Sequence, residues 1–252
     1  MENVDALRQC QWPALRPPYD QALYDAVHFV VSHVAVSGII ASGTIVRGTP
    51  DPSSDLDLVV LHRHPVRQRI QQRFNTVPTE IFVNPMAAME SYLMRERTSG
   101  QPKMTHMVAT GTIILALDEQ IAALQTRAQH LLTTPPTFTP EQVTRMRYAA
   151  ATWYEDAVDV IERDPVTATR LLNQAVDTML HVLFWKAQRF VPREKELMAH
   201  VRAIDMDIAT LAEQFFLAAE VHERMQLAGH IADRTIGVRG FFEWESTPEQ
   251  VL

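Results

Sequence analysis

The chain has 252 residues, of which 46% are hydrophobic, and its 23 Lys and Arg residues against 30 Asp and Glu residues give a net charge of −7. This length can form two domains with separate cores, and the acidic balance with scattered basic residues argues against binding to long nucleic acid. No apolar run is long enough to span a membrane and no signal-peptide pattern is visible, so we expect a cytoplasmic protein without membrane contacts.

The first 134 residues combine strand-like and helix-like segments. Apolar residues at helical spacing predict a first helix over Tyr19–Val36. Two further segments, Val66–Phe74 and Met86–Arg97, have helical composition. Short apolar runs predict four strands, at Gly38–Ala41, Leu56–Leu61, Glu80–Val83 and Thr112–Leu117. We therefore predict an α/β (α+β) domain with a small mixed sheet over residues 1–134.

A proline-rich segment marks the predicted domain boundary. Thr133–Pro140 reads TTPPTFTP, and three prolines in eight residues are incompatible with a helix or a central strand. Beyond it, helical patterns predict an all-α helical bundle domain over residues 135–252. Its predicted helices are Glu141–Arg163, Pro165–Phe190, Arg193–Ala203 and Ile208–Ala228. The aromatic tail Gly237–Trp244 is predicted to dock on this bundle.

Two aspartates stand at the start of the second strand. Side chains at i and i+2 of a strand share a face, so Asp55 and Asp57 point the same way while Leu56 and Leu58 face the core. Adjacent carboxylates repel each other and resist desolvation, so the pair indicates solvent, a cationic partner or a divalent metal. Mg²⁺ fits best because it prefers carboxylate, water and phosphate oxygens. A solvated strand end is the alternative.

A possible phosphate site precedes this acid pair. Gly43 and Thr44 follow the first strand, where a small residue, a hydroxyl and backbone N–H groups can bind phosphate at a helix start. Arg47 adds a positive charge. Phosphate donors and metal ligands are thus predicted to converge on one site.

The stretch from Gly43 to Leu58, GTIVRGTPDPSSDLDL, resembles the signature of the DNA polymerase beta superfamily of nucleotidyltransferases. That signature is Gly-Ser, a spacer, and Asp-hydrophobic-Asp or Glu; Thr44 replaces the serine here. The chain is most similar to the bacterial antibiotic (aminoglycoside-type) adenylyltransferases, in which a helical domain follows and covers the cleft. The resemblance implies a Mg²⁺-dependent enzyme with two ions that transfers AMP from ATP to a hydroxyl of a small acceptor, releases pyrophosphate and serves antibiotic resistance.

The resemblance also implies roles for individual residues. Glu80 is the expected third carboxylate, acting as a metal ligand with Asp55 and Asp57 or as the base that takes the proton of the attacking hydroxyl. Gly43, Thr44, Arg47 and Ser54 are the expected nucleotide-binding residues.

Charge predicts a further cation. Three carboxylates and ATP total about −7, of which two Mg²⁺ return only about +4, so protein cations should contribute. The resemblance places such a cation at a Pro-and-Lys helix start, here Lys195 or Arg193.

Other interpretations stay open. The acceptor could be tRNA or a protein, as in toxin-type members of the superfamily, or the chain could be a non-catalytic, antitoxin-like nucleotide-binding module. The expected partners are ATP and a small acceptor, with the protein a monomer or homodimer. His62 and His64 are predicted to lie in a surface loop. An acidic group on the first bundle helix could bind a cationic acceptor or could simply be solvated; it consists of Glu155, Asp156 and Asp159.

Overall fold

A computed structural model describes residues 6–248, which form two compact units that divide between Pro135 and Pro136. The first unit is built on a five-stranded mixed sheet with the order β3-β4-β2-β1-β5. The strands are β1 (Val36–Ser42), β2 (Leu56–His62), β3 (Gln68–Phe74), β4 (Val77–Pro85) and β5 (Thr112–Ala116). Strands β2 and β4 pair in parallel and the other pairs are antiparallel. The predicted mixed sheet is confirmed.

Helices cover the two faces of this sheet. They are α1 (Tyr19–His33), α2 (Met86–Ser99), α3 (Lys103–Thr110) and α4 (Gln120–Thr133). Alternation along β2 divides its side chains between two cores, because Leu58 and Val60 pack with α1 whereas Val59 and Leu61 pack with α2, α3 and α4. Asp57 shares the face of Val59 and Leu61, so it lies on the side of the sheet that α2–α4 cover.

The prediction of a helix over Val66–Phe74 is wrong, because most of this segment forms β3. Its backbone pairs with β4 along the whole strand, from Gln68 opposite Val83 to Phe74 opposite Val77. The two strands are joined at Asn75 and Thr76, whose positive φ values of 43° and 69° suit a tight hairpin. Sheet pairing thus outweighs the helical preference of the Gln and Arg side chains.

The second unit is helical, as predicted. Its helices are α5 (Pro140–Val160), α6 (Pro165–Lys186), α7 (Leu197–Ile204), α8 (Met206–Leu217) and α9 (Val221–Thr235), with a 3₁₀ turn at Glu194–Glu196. The segment predicted as one helix over Ile208–Ala228 is two helices, α8 and α9. Ala218 is extended at the break, and its carbonyl accepts a hydrogen bond from Arg224 at 2.8 Å. Neither Gly nor Pro marks this break in the sequence.

The aromatic tail packs on α5. The Arg147 guanidinium lies 5.1 Å from the centroid of the Phe242 ring, and the rings of Tyr148 and Trp244 are 5.4 Å apart. The predicted docking of Gly237–Trp244 on the bundle is confirmed. No helix within residues 6–248 combines the length and apolar character needed to cross a membrane.

Candidate functional site

Three carboxylates meet at one end of the parallel pair β2 and β4. Asp57 and Glu80 are Cα partners across this pair, and Asp55 stands directly before β2. One oxygen from each of the three carboxylates lies within 4.8 Å of the others, and all three residues are half-buried. The strand alternation and the parallel register explain this convergence. The helices that cover Val59 and Leu61 leave this end of the sheet open.

Crowding of negative charge changes the acidity of Asp57. Burial, followed by the charges of Asp55 and Glu80, raises the pKa of Asp57 from 3.8 to about 6, while Arg69 and Arg47 act in the opposite direction. A carboxylate that resists ionisation in this way gains most from a bound cation. The cluster offers only oxygen ligands, so its chemistry fits a hard divalent ion such as Mg²⁺.

Strand β3 supplies two partners for Glu80 that the sequence reading missed. Arg69 forms an ion pair with Glu80 at 2.5 Å, and the Gln71 side chain donates a hydrogen bond to the same carboxylate. Both residues lie in the segment that was predicted as a helix, so their place beside Glu80 was not predicted. The spacing of Arg67, Arg69, Gln71 and Arg73 is a strand alternation, and that signal could have revealed them.

The β1–β2 connection places the Gly43 backbone against Asp57 and pairs two hydroxyls with each other. Gly43 has φ +93°, and a Cβ there would lie 3.0 Å from Asp57 Oδ2. The hydroxyls of Thr44 and Ser54 are 2.8 Å apart, and Ser54 Oγ accepts a hydrogen bond from the N–H of Asp51 at 2.9 Å. The connection after Gly43 is a series of turns, so the expected helix start at Thr44 is not present.

The remaining candidate residues differ in their placement. The charge of Arg47 acts on Asp57, as noted above. Lys195 and Arg193 belong to the second unit, where both are exposed at the 3₁₀ turn and Arg193 pairs with Glu196. Their contact with a nucleotide stays a prediction.

Two histidines at the end of β2, His62 as its last residue and His64 just beyond it, do not form a metal site with the carboxylates. His62 is buried, which corrects its predicted place in a surface loop, whereas His64 is exposed. His62 Nε2 lies 2.9 Å from the Val66 carbonyl oxygen, and Nδ1 accepts the N–H of His64 at 3.2 Å. Both ring nitrogens of His62 are therefore engaged in local structure.

Comparison with known families agrees with the geometry of the first unit. Residues 25–105 match the family model of the nucleotidyltransferase domain. The first unit thus contains a segment similar to the nucleotidyltransferase domain. The matched residues include all three carboxylates and the β1–β2 connection.

Comparison with solved structures supports the fold of both units. The chain is similar to a nucleotidyltransferase-like protein from Exiguobacterium sibiricum, with a TM-score of 0.54 and 17% sequence identity over 86% of this chain and 73% of that one. At this identity the likeness shows a shared fold alone. No curated protein matches the chain. Similarity to the aminoglycoside-type adenylyltransferases in particular stays a prediction.

Proposed function

We propose that the protein is an adenylyltransferase that transfers AMP from ATP to a hydroxyl of a small acceptor and releases pyrophosphate. The observation that supports this most is the convergence of Asp55, Asp57 and Glu80 within a nucleotidyltransferase domain. Two aspartates alone are compatible with a solvated strand end. A third carboxylate from the next strand, together with the raised pKa of Asp57, favours a site that binds cations.

The three carboxylates are the proposed ligands of two Mg²⁺ ions. Ions held by these carboxylates would neutralise phosphate charge and would orient the reacting oxygens. The β and γ phosphates of ATP are proposed to bind at the hydroxyls of Thr44 and Ser54, with the charge of Arg47 near Asp57. Gly43 lacks a Cβ, so its backbone can approach both Asp57 and a phosphate closely.

Glu80 is the proposed general base. Its carboxylate accepts the proton of the acceptor hydroxyl as the hydroxyl oxygen bonds to the α-phosphorus and the bond from that phosphorus to pyrophosphate breaks. Arg69 and Gln71 hold this carboxylate from the β3 side, which fixes its orientation. A fixed base raises the rate because the reacting groups need not be ordered again in each turnover.

We propose that residues 1–134 form the catalytic domain and that residues 135–252 bind the acceptor and close over the nucleotide. Within the second domain, Lys195 or Arg193 is proposed to contact the triphosphate. Support comes from the charge of the site, because the negative charge of three carboxylates and ATP exceeds the positive charge of two Mg²⁺ ions. This division of roles follows the resemblance given above.

The test is incubation of the full chain with ATP labelled at the α-phosphate, Mg²⁺ and a panel of acceptors. The panel contains aminoglycosides, phosphorylated small molecules, tRNA and protein, and pyrophosphate release is followed in parallel. Label on a small molecule, lost in Asp57→Asn but retained in the exposed control Glu119→Gln, is the expected result. Transfer only to tRNA or protein contradicts the small acceptor. ATP binding without pyrophosphate release with any acceptor favours the non-catalytic module.

A further inference from the structure

A second cleft adjoins the carboxylate cluster on the same face of the sheet. It measures about 270 Å³ and is called the arginine cleft here; it is lined by Arg67, Gln68, Arg69, Phe82, Asn84 and Tyr92. Glu80, Phe82 and Asn84 alternate along β4, so their side chains share one face. The ion pair of Arg69 with Glu80 joins the arginine cleft to an open cleft of about 440 Å³ that Asp55 and Glu80 line.

The arginine cleft combines cations with aromatic rings. The Arg67 guanidinium lies 4.9 Å from the centroid of the Tyr92 ring and its Nη2 lies 3.4 Å from the Tyr92 hydroxyl. Arg95 does not line the cleft, but its guanidinium lies 5.4 Å from the centroid of the same ring. Arg69 lies 4.0 Å from the Phe82 ring. A guanidinium that stacks on a ring by its face keeps N–H groups at its edge for an anion such as phosphate.

The charges of Arg67 and Arg95 are not neutralised by carboxylates. Among residues 6–248, neither side chain forms an ion pair. Arg69 is shared between Glu80 and the cleft. Since the chain carries a net charge of −7, a local group of three arginines contrasts with the whole molecule.

The arginine cleft lies on the side of the sheet from which the acceptor is expected to approach. In the proposed function, the nucleotide phosphates bind at Thr44 and Ser54, at the β1–β2 connection. Glu80 is on β4, which lies on the opposite side of β2 from β1. An in-line displacement places the attacking hydroxyl opposite the leaving pyrophosphate. The acceptor must therefore approach from the β3–β4 side, where the arginine cleft lies.

We propose that the arginine cleft binds a phosphate group of the acceptor, so that the substrate is a small phosphorylated molecule with a free hydroxyl. The placement of the acceptor rests on the proposed function; the anion site itself rests on the arginines alone. A polycationic aminoglycoside meets like charges at Arg67 and Arg95, which disfavours it. The scattered basic residues of the chain disfavour a long RNA, although an RNA end carries the same phosphate.

The anion site can be tested without turnover. Phenylglyoxal modifies accessible arginines, and peptide mass spectrometry reports the modification of each one in the absence of ATP and Mg²⁺. Glycerol 3-phosphate is expected to cause a dose-dependent loss of modification at Arg67, which lines the cleft, and glycerol is expected to cause none. Arg63, with a side chain that is 80% exposed and paired with Asp118 outside the cleft, is the internal control. Equal modification of Arg67 with both probes overturns the inference.

Variants separate this inference from the proposed function. Asp57→Asn is expected to retain the protection of Arg67 by glycerol 3-phosphate while AMP transfer is lost. Protection without any transfer by the unaltered protein overturns the proposed function alone, and transfer without protection overturns the cleft alone. Protection by a 5′-phosphorylated oligoribonucleotide but not by glycerol 3-phosphate overturns the assignment to a small molecule.

Kinetics give a second measurement. Arg67→Ala is expected to raise the KM for a phosphorylated acceptor by about 10- to 100-fold, because a charge-assisted hydrogen bond is lost. Arg127→Ala is the matched control, since Arg127 is partly exposed and pairs with Glu90 outside the cleft. Efficient transfer to an aminoglycoside that Arg67→Ala leaves unchanged overturns the proposal.

Discussion

Asp57 on β2 and Glu80 on β4 lie directly opposite each other in a parallel strand pair. The backbone hydrogen bonds of the sheet fix this register, so the Cα atoms of the two residues cannot separate without breaking the strand pair. Gly43 lies against Asp57, and Arg69 holds Glu80. The fold therefore brings negative charges together, at a cost in stability that a cation bound at this site would offset.

The first prediction concerns pH. The pKa of Asp57 is raised from 3.8 to about 6, so the folded protein binds this proton more tightly than the unfolded chain does. The free energy of unfolding of the metal-free protein should therefore fall as pH rises from about 4 to 6, by at most about 3 kcal/mol and by less because Asp57 is partly solvated. Urea unfolding across this range measures it.

The matching variant is Asp57→Asn. This change removes the charge that the site resists, so at pH 8 the metal-free variant should be more stable than the unaltered protein. Added Mg²⁺ should stabilise the unaltered protein but not the variant. Glu119→Gln, at an exposed carboxylate in the same unit, should shift stability by no more than about 0.5 kcal/mol. Equal stabilisation of the variant by Mg²⁺ contradicts the metal site.

The second prediction uses two glycines of one connection. Gly43 and Gly48 both have positive φ, +93° and +79°, so alanine at either position should cost about 1 kcal/mol of stability. A Cβ at Gly43 meets Asp57 Oδ2 at 3.0 Å, whereas a Cβ at Gly48 meets nothing within 4 Å. Only Gly43→Ala should weaken the Mg²⁺-induced rise in melting temperature. Equal effects in the two variants show that the close approach to Asp57 is unimportant.

The third prediction concerns the paired hydroxyls. If Thr44 and Ser54 bind phosphate, Thr44→Val should raise the KM for ATP by roughly 5- to 10-fold, because a hydroxyl is lost while the shape is kept. Thr44→Ser keeps the hydroxyl and should bind ATP as the unaltered protein does. Initial rates over a range of ATP concentrations give the KM of each variant. A normal KM in Thr44→Val places the triphosphate elsewhere.

Sequence patterns predicted the parts of the fold that depend on buried strands. The apolar runs Leu56–Leu61 and Glu80–Val83 led to β2 and β4, and these two strands bring Asp57 and Glu80 together. Beyond the carboxylates, β2 is buried on both faces and β4 buries Ile81 and Val83, and such strands have a clear hydrophobic signal. The strand pattern therefore predicted the pair Asp55 and Asp57, whereas Glu80 was expected as the third carboxylate because of the resemblance to the nucleotidyltransferases.

Other parts depend on pairing that single segments do not reveal. Strand β3 has the sequence QRIQQRF, in which Phe74 alone is fully buried, so its composition suits a helix equally well. Its partner β4 decides the outcome, and with it the places of Arg69 and Gln71. The break at Ala218 is similar, because Arg224 stabilises it from the following helix. Contacts between different secondary-structure elements leave no pattern within the sequence of a single element.

The fourth prediction tests the cation from the second unit. Lys195→Ala should raise the KM for ATP by about 10-fold if its ammonium contacts the triphosphate, because a charge-assisted contact is lost. Arg193→Ala is the matched comparison, since the two exposed residues flank the start of the same turn. A larger effect in Arg193→Ala assigns the role to that residue instead. No change in either variant removes both from the nucleotide site.

The fifth prediction isolates the base. Glu80→Gln keeps the shape of the side chain but cannot accept a proton, so the single-turnover rate of AMP transfer should fall by about 100- to 10,000-fold. The control is Glu90→Gln, which should retain the rate. Glu90 is an exposed residue of α2 that forms an ion pair with Arg127 of α4. Equilibrium binding of ATP should survive better than turnover in Glu80→Gln, because Asp55 and Asp57 remain. A variant that transfers AMP within about tenfold of the normal rate shows that another group, or water, takes the proton, since a base contributes more than that.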